Sequence, residues 1–175
     1  SDILCVSEAT PEENQLLRIL QMKYHKNKLA LLVRILQMES NPRLLLQSLD
    51  LSDFTYLLDD SVDTSEIDYV DYSDEVKELI DSCSATTKFK YCVELAASLA
   101  KQNKPAIIWC IFVNSIQNLS QALEKMGIRT RCIYGEVQLE DRQQILSDFR
   151  SRKIQILLTN PHTLAESVSL HNVCH

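Results

Sequence analysis

Three apolar segments of strand length, separated by two helical patterns, constrain the fold of this chain most. Residues 106–113 are continuously apolar, and residues 130–134 and 154–159 are two further segments of strand length. Gly127 is predicted to end the helical pattern that follows the first segment. A continuous apolar run predicts a strand buried on both faces, so Trp109 is expected in the core. Strand–helix–strand–helix–strand at this spacing predicts right-handed crossovers. We therefore expect an α/β fold, a parallel sheet with helices on both faces, preceded by a helical N-terminal segment.

The sequence as a whole predicts three segments. Residues 1–58 contain a short apolar run at residues 3–6, interpreted as a strand, and then leucines at helical spacing. Between them, residues 10–13 (Thr-Pro-Glu-Glu) predict a helix start with Thr10 as the N-cap residue. Residues 59–82 hold ten acids and one base up to Asp81, which predicts an acidic linker with a helical end. A second interpretation of this linker is a DNA mimic that covers a basic surface. Residues 83–175 form the α/β lobe.

Composition excludes several classes of protein. The chain has only two glycines, so it carries neither a Walker A loop nor a G-x-G-x-x-G loop. Its six cysteines form no C-x-x-C pair, which argues against a zinc site and predicts a reducing, cytoplasmic protein. No apolar run is long enough to cross a membrane, and no membrane partner is expected. The string at residues 171–175, H-x-x-C-H, lacks a fourth ligand nearby, so no metal is expected.

Ligands of parallel sheets bind beyond the carboxyl ends of the strands, which directs attention to three loops. Asn114 and Ser115 follow the first strand and open a helix, where free backbone N–H groups bind phosphate; an ordinary helix cap is the alternative. Thr159 and Asn160 end the third strand, where turn chemistry before a proline is the alternative. Arg142 follows the second strand, and its two alternative interpretations are a phosphate ligand and a surface charge.

The order of these segments resembles the second RecA-like lobe of superfamily-two helicases. Residues 106–112 resemble the motif IV strand, and residues 133–149 resemble the "DG…R…I..F" segment. Residues 156–171 resemble motif V, in the "NP…E.ISLH" wording of the bacterial Swi/Snf-like branch. Residues 6–13 resemble that branch's entry into lobe two, and residues 36–42 resemble its "lrQ.snHP" segment without the His.

The resemblance implies the C-terminal lobe of an ATP-dependent translocase on duplex DNA. Thr159 and Asn160 would contact a DNA phosphate, and Glu166 and Ser169 would face the nucleotide between two lobes. ATP and Mg²⁺ would be held mainly by a first RecA-like lobe of the same protein, absent from this sequence. The sequence stops before the place of motif VI with its arginine finger, so no catalytic residue is expected here and the fragment alone is expected to be inactive.

Motif V departs from the family pattern and leaves two alternatives open. Leu164, Ala165 and Ser167 stand where the family usually carries glycines, and their Cβ atoms hinder close backbone approach to a phosphate. This favours a non-catalytic RecA-like interaction scaffold. The other alternative is lobe two of an RNA or single-strand helicase. Residues 82–175 carry a formal charge of +4, which predicts weak, salt-sensitive DNA binding.

Overall fold

The computed structural model describes residues 3–49, 72–83, 85–161 and 163. The chain divides into two compact units, residues 1–90 and 91–175, and the division falls inside one helix. The described part of the first unit is helical, and that of the second contains a sheet. Most of the predicted acidic linker, residues 59–82, lies outside the described residues.

The described part of the first unit contains four helical elements and the beginning of a fifth. They are α1 (Pro11–Lys23), α2 (Lys28–Ser40), a 3-10 helix (Pro42–Leu46), α3 (Asp74–Ser82) and the start of α4 (Thr87–Lys101). Thr10 begins α1 as predicted, because its hydroxyl accepts a hydrogen bond from the Glu13 backbone N–H at 3.2 Å. Leucines of α1 and aliphatic residues of the other helices form the core: Leu16, Leu20, Ala30, Val33, Leu45 and Ile80.

The strand predicted at residues 3–6 is wrong. These residues have no regular structure, and Ile3, Leu4 and Val6 are each more than three-quarters exposed. A strand needs a neighbouring strand to satisfy its backbone, and none of the described strands pairs with this segment.

The second unit confirms the predicted parallel sheet. Its described strands are β1 (Ala106–Trp109), β2 (Thr130–Ile133) and β3 (Ile156–Thr159), in the order β1-β3-β2. Both pairings are parallel. The connecting helices are α5 (Val113–Lys125) and α6 (Leu139–Arg150). The chain moves outward from β1 to β2 and then back to β3, so crossovers of one hand place α5 and α6 on opposite faces.

The prediction of a doubly buried strand at residues 106–113 is wrong. Strand β1 spans four residues, is only partly buried, and leaves Trp109 52% exposed. Among the described strands β1 pairs only with β3, so it forms an edge, whereas all four residues of central β3 are buried. The apolar run therefore predicted a strand of the sheet correctly, but the buried central strand is β3 and not β1.

The described cysteines are free thiols. Burial raises the pKa of Cys110 to about 12, which keeps this thiol uncharged. Among the described residues, no helix has the length and apolar character needed to cross a membrane. The same residues contain no group of three or more His, Cys, Asp or Glu side chains that could hold a metal ion.

Candidate nucleic-acid interface

The carboxyl ends of the three strands lie level, which brings the predicted site loops to one edge of the sheet. Thr159 is in register with Trp109 on one side and with Ile133 on the other. Adjacent strands are about 4.8 Å apart, so the three exits fall within about 10 Å of one another. We call residues 110–115, 134–142 and 159–161 the carboxyl edge.

The start of α5 differs from the prediction that Asn114 and Ser115 cap it. The helix begins at Val113, and Phe112 is the N-cap residue without a side-chain cap hydrogen bond. Asn114 and Ser115 thus lie inside the first turn, where the Asn114 Oδ1 atom accepts a hydrogen bond from Asn118 Nδ2 at 3.1 Å. Ser115 is buried, and its hydroxyl has no hydrogen-bond partner among the described residues. The Ser115 hydroxyl is thus shielded from a ligand at the surface, and its backbone N–H donates to the Phe112 carbonyl at 3.1 Å.

The end of β3 combines a structural residue with an accessible one. Thr159 is fully buried, and its carbonyl accepts a hydrogen bond from the Cys110 N–H at 2.8 Å. Asn160 is only partly buried, and its Oδ1 atom accepts a hydrogen bond from the Thr163 N–H at 3.0 Å. Asn160 therefore caps the helical turn that follows, while its side-chain amide NH₂ group remains the more accessible donor of the pair.

Arg142 holds the loop after β2. Its Nε atom donates to the Val137 carbonyl at 2.7 Å, and its Nη2 atom donates to the Gly135 carbonyl at 3.0 Å. A longer contact of 3.5 Å joins Nη2 to the Tyr134 carbonyl. The guanidinium is thus committed to the backbone of a turn, a role that the sequence interpretation did not include. A positive side chain near a helix N-terminus opposes the helix dipole, and this position of Arg142 is the sequence signal that could have indicated a specific partner.

The carboxyl edge is not basic. It holds three acids, Glu136, Glu140 and Asp141, and one base, Arg142, for a formal charge of −2. Glu140 and Asp141 lie in the first turn of α6, where negative side chains offset the helix dipole. Phosphate binding at this edge would therefore depend on backbone N–H groups and neutral side chains.

Two predicted nucleotide-facing residues, Glu166 and Ser169, lie outside the described residues, as do the motif V positions that replace glycines. Lys88, in the first turn of α4, meets a charged partner within the first unit. The Lys88 ammonium lies 2.8 Å from the Glu39 carboxylate. This ion pair leaves the lysine engaged at the surface.

Glu13 is a buried residue that the sequence interpretation treated only as part of a helix start. Its Oε1 atom accepts a hydrogen bond from the Thr87 N–H at 2.8 Å, and its Oε2 atom accepts one from the Thr87 hydroxyl at 3.0 Å. Oε2 also accepts a hydrogen bond from the Thr10 N–H at 3.0 Å. One carboxylate therefore closes the N-termini of both α1 and α4. A cavity of about 150 Å³ opens beside it.

Comparison with known proteins places the second unit in context. Residues 87–175, from the first residue of α4, match the family of helicase conserved C-terminal domains. A Schizosaccharomyces pombe protein named as a mitochondrial ATP-dependent helicase, irc3, is 28% identical over 74 residues, which are 42% of this chain. The aligned part is 12% of that relative's length.

The solved C-terminal part of the Fun30 ATPase domain is similar to 90% of this chain and 67% of its own, with a TM-score of 0.42 and 12% identity.

Proposed function

The chain belongs to the family of helicase conserved C-terminal domains, and we propose that it acts as the second RecA-like lobe of an ATP-dependent DNA translocase of the Swi/Snf-like type. The observation that carries the proposal is the family match over the whole described sheet, from the start of α4 onward. In this role the lobe contributes to nucleic-acid binding, and a first lobe of the same protein supplies most of the nucleotide site.

We assign the DNA backbone contact to the carboxyl edge. Asn114 at the start of α5 and Asn160 at the end of β3 are both only partly buried and carry side-chain amide groups, while the buried Ser115 supports the first turn of α5. These groups bind phosphate without reading base identity, as a motor that tracks along a strand requires. Thr159 supports the edge from inside, and Arg142 fixes the neighbouring turn.

ATP with Mg²⁺ would supply the free energy of phosphoryl transfer when bound between the two lobes. Glu166 and Ser169 are the residues of this chain that we assign to the nucleotide-facing side, by their match to motif V. The remainder of the phosphate and Mg²⁺ ligands belong to the first lobe.

The test is ATP hydrolysis by the natural full-length protein with duplex DNA, single-stranded DNA or RNA added. We expect duplex DNA to stimulate turnover most, and Asn160→Ala to lower that stimulation severalfold by weakening DNA binding. The matched control is Gln121→Ala, an exposed position on α5 away from the carboxyl edge. Stimulation by single strands or RNA alone would replace the duplex assignment with the corresponding helicase.

A non-catalytic interaction scaffold is the second candidate, favoured by Leu164, Ala165 and Ser167 in place of the usual motif V glycines. This candidate predicts that the full-length protein lacks nucleic-acid-stimulated ATP hydrolysis. It also predicts that glycine substitutions at these positions leave the hydrolysis rate unchanged.

A further inference from the structure

The amino edge of the sheet, opposite the carboxyl edge, carries a concentration of positive charge. We define the basic edge as the three turns that enter the strands, residues 101–105, 124–129 and 148–155. It contains two acids, Glu124 and Asp148, and seven bases, for a formal charge of +5. The bases are all exposed: Lys101, Lys104, Lys125, Arg129, Arg150, Arg152 and Lys153.

Gln155 ties these three turns together. Its backbone carbonyl accepts a hydrogen bond from Ala106 N–H at 3.0 Å, and its N–H donates to the Arg129 carbonyl at 2.8 Å. Its side chain accepts from the Arg129 N–H at 3.1 Å and donates to the Ala100 carbonyl at 3.2 Å. A guanidinium contact of 3.5 Å from Arg129 Nη2 to the Arg152 carbonyl adds a further link. These hydrogen bonds therefore link the three turns that carry the bases.

Helix dipoles explain only part of this charge. Lys101, Lys125 and Arg150 lie in the last turns of their helices, where cations are stabilising. The other four bases lie beyond the helix ends. Lys153 pairs with Asp148 at 3.2 Å, and together with Gln144 it holds the pKa of that carboxyl below its ordinary value.

Arg152 is the clearest example of a base that helix dipoles do not explain. It adopts a φ of 63°, a left-handed conformation that is unfavourable for a non-glycine residue, whereas the turn after α5 has Gly127 with a φ of 75°. Its side chain forms no hydrogen bond or ion pair with the described residues. Neither the turn nor the packing explains an arginine there.

We propose that the basic edge is a second nucleic-acid contact surface, which binds the phosphate backbone of duplex DNA independently of the carboxyl edge. Duplex DNA presents one negative charge per about 1.7 Å of its axis, and three neighbouring strands span about 10 Å, so several phosphates can face these turns together. The proposal does not rest on ATP turnover, because the basic edge and the carboxyl edge share no residue.

The test replaces one base from each turn in the 175-residue chain. The variant K104Q/K125Q/R150Q is compared with R18Q/K26Q/K28Q, which removes the same charge and residue types from exposed positions of the first unit. The measurement is fluorescence anisotropy with a labelled 20-base-pair duplex over a range of salt concentrations, after thermal unfolding has checked that each variant folds.

We expect the basic-edge variant to lose at least tenfold in affinity at low salt. Its slope of log K against log salt should fall by roughly 2–3, since each phosphate contact contributes about 0.9. The control triple variant should stay within about twofold of the unaltered chain. Equal losses in both triple variants, or none in the first, would overturn the proposal. Polyglutamate that competes as strongly as duplex DNA at equal charge would instead assign the surface to an acidic protein partner.

Discussion

Replacement of Glu13 by alanine is expected to lower the free energy of unfolding of the first unit by about 3 kcal/mol. The carboxylate is 6% exposed and accepts hydrogen bonds from Thr10 and Thr87 at two helix N-termini. A buried donor without its acceptor costs about 1–3 kcal/mol, and loss of a helix cap costs about 1 kcal/mol. Urea denaturation followed by circular dichroism measures the change.

Two further variants make this prediction specific. Glu13→Gln keeps one acceptor oxygen and should lose about half as much stability as the alanine variant. Glu12→Ala changes an exposed carboxylate in the same helical turn and should stay within about 0.5 kcal/mol of the unaltered chain. If Glu12→Ala destabilises the chain as much as Glu13→Ala, then the charge of the first turn matters and the buried hydrogen bonds do not.

Replacement of Arg142 is expected to reduce DNA-stimulated ATP turnover of the full-length protein by roughly tenfold, because the turn that it holds borders the carboxyl edge. Arg142→Lys should be nearly as impaired as Arg142→Ala. A single ammonium cannot span the Val137 and Gly135 carbonyls as the planar guanidinium does. Amide hydrogen exchange at residues 135–138 should accelerate in both variants.

The comparison of the two variants separates a positioning residue from a phosphate ligand. A direct phosphate contact would be partly rescued by lysine, and hydrogen exchange in the turn would not change. Gln143→Ala, at the exposed neighbouring position on α6, provides the control and should behave as the unaltered protein.

The order of elements in the second unit could be predicted from sequence because local patterns encode it. Apolar runs, helical periodicity and Gly127 at the end of α5 together predicted the sequence β1–α5–β2–α6–β3, which the structure confirms. Local patterns failed where burial depends on neighbours. Residues 3–6 have the composition of a strand but no described strand beside them, and Trp109 lies on a strand that forms an edge among the described strands.

The site could be predicted less well, for the same physical reason. The strand ends and their loops follow from topology, but the partners of individual side chains are set in three dimensions. Glu13 meets Thr87 across 74 residues of sequence, and no local pattern indicates this contact. The net charge of the chain does not show where its charges lie in the fold. The excess of bases lies at the amino edge of the sheet, and the carboxyl edge is acidic.

ATP turnover by the 175-residue chain, measured alone and after fusion to a first RecA-like lobe carrying a Walker A loop, shows whether the chain is the second lobe of a two-lobe motor. We expect no turnover above background by the chain alone, since the sequence has no loop to hold the phosphates, and turnover stimulated by duplex DNA in the fused protein. Robust hydrolysis by the isolated chain, or a fused protein that DNA does not stimulate, would contradict it.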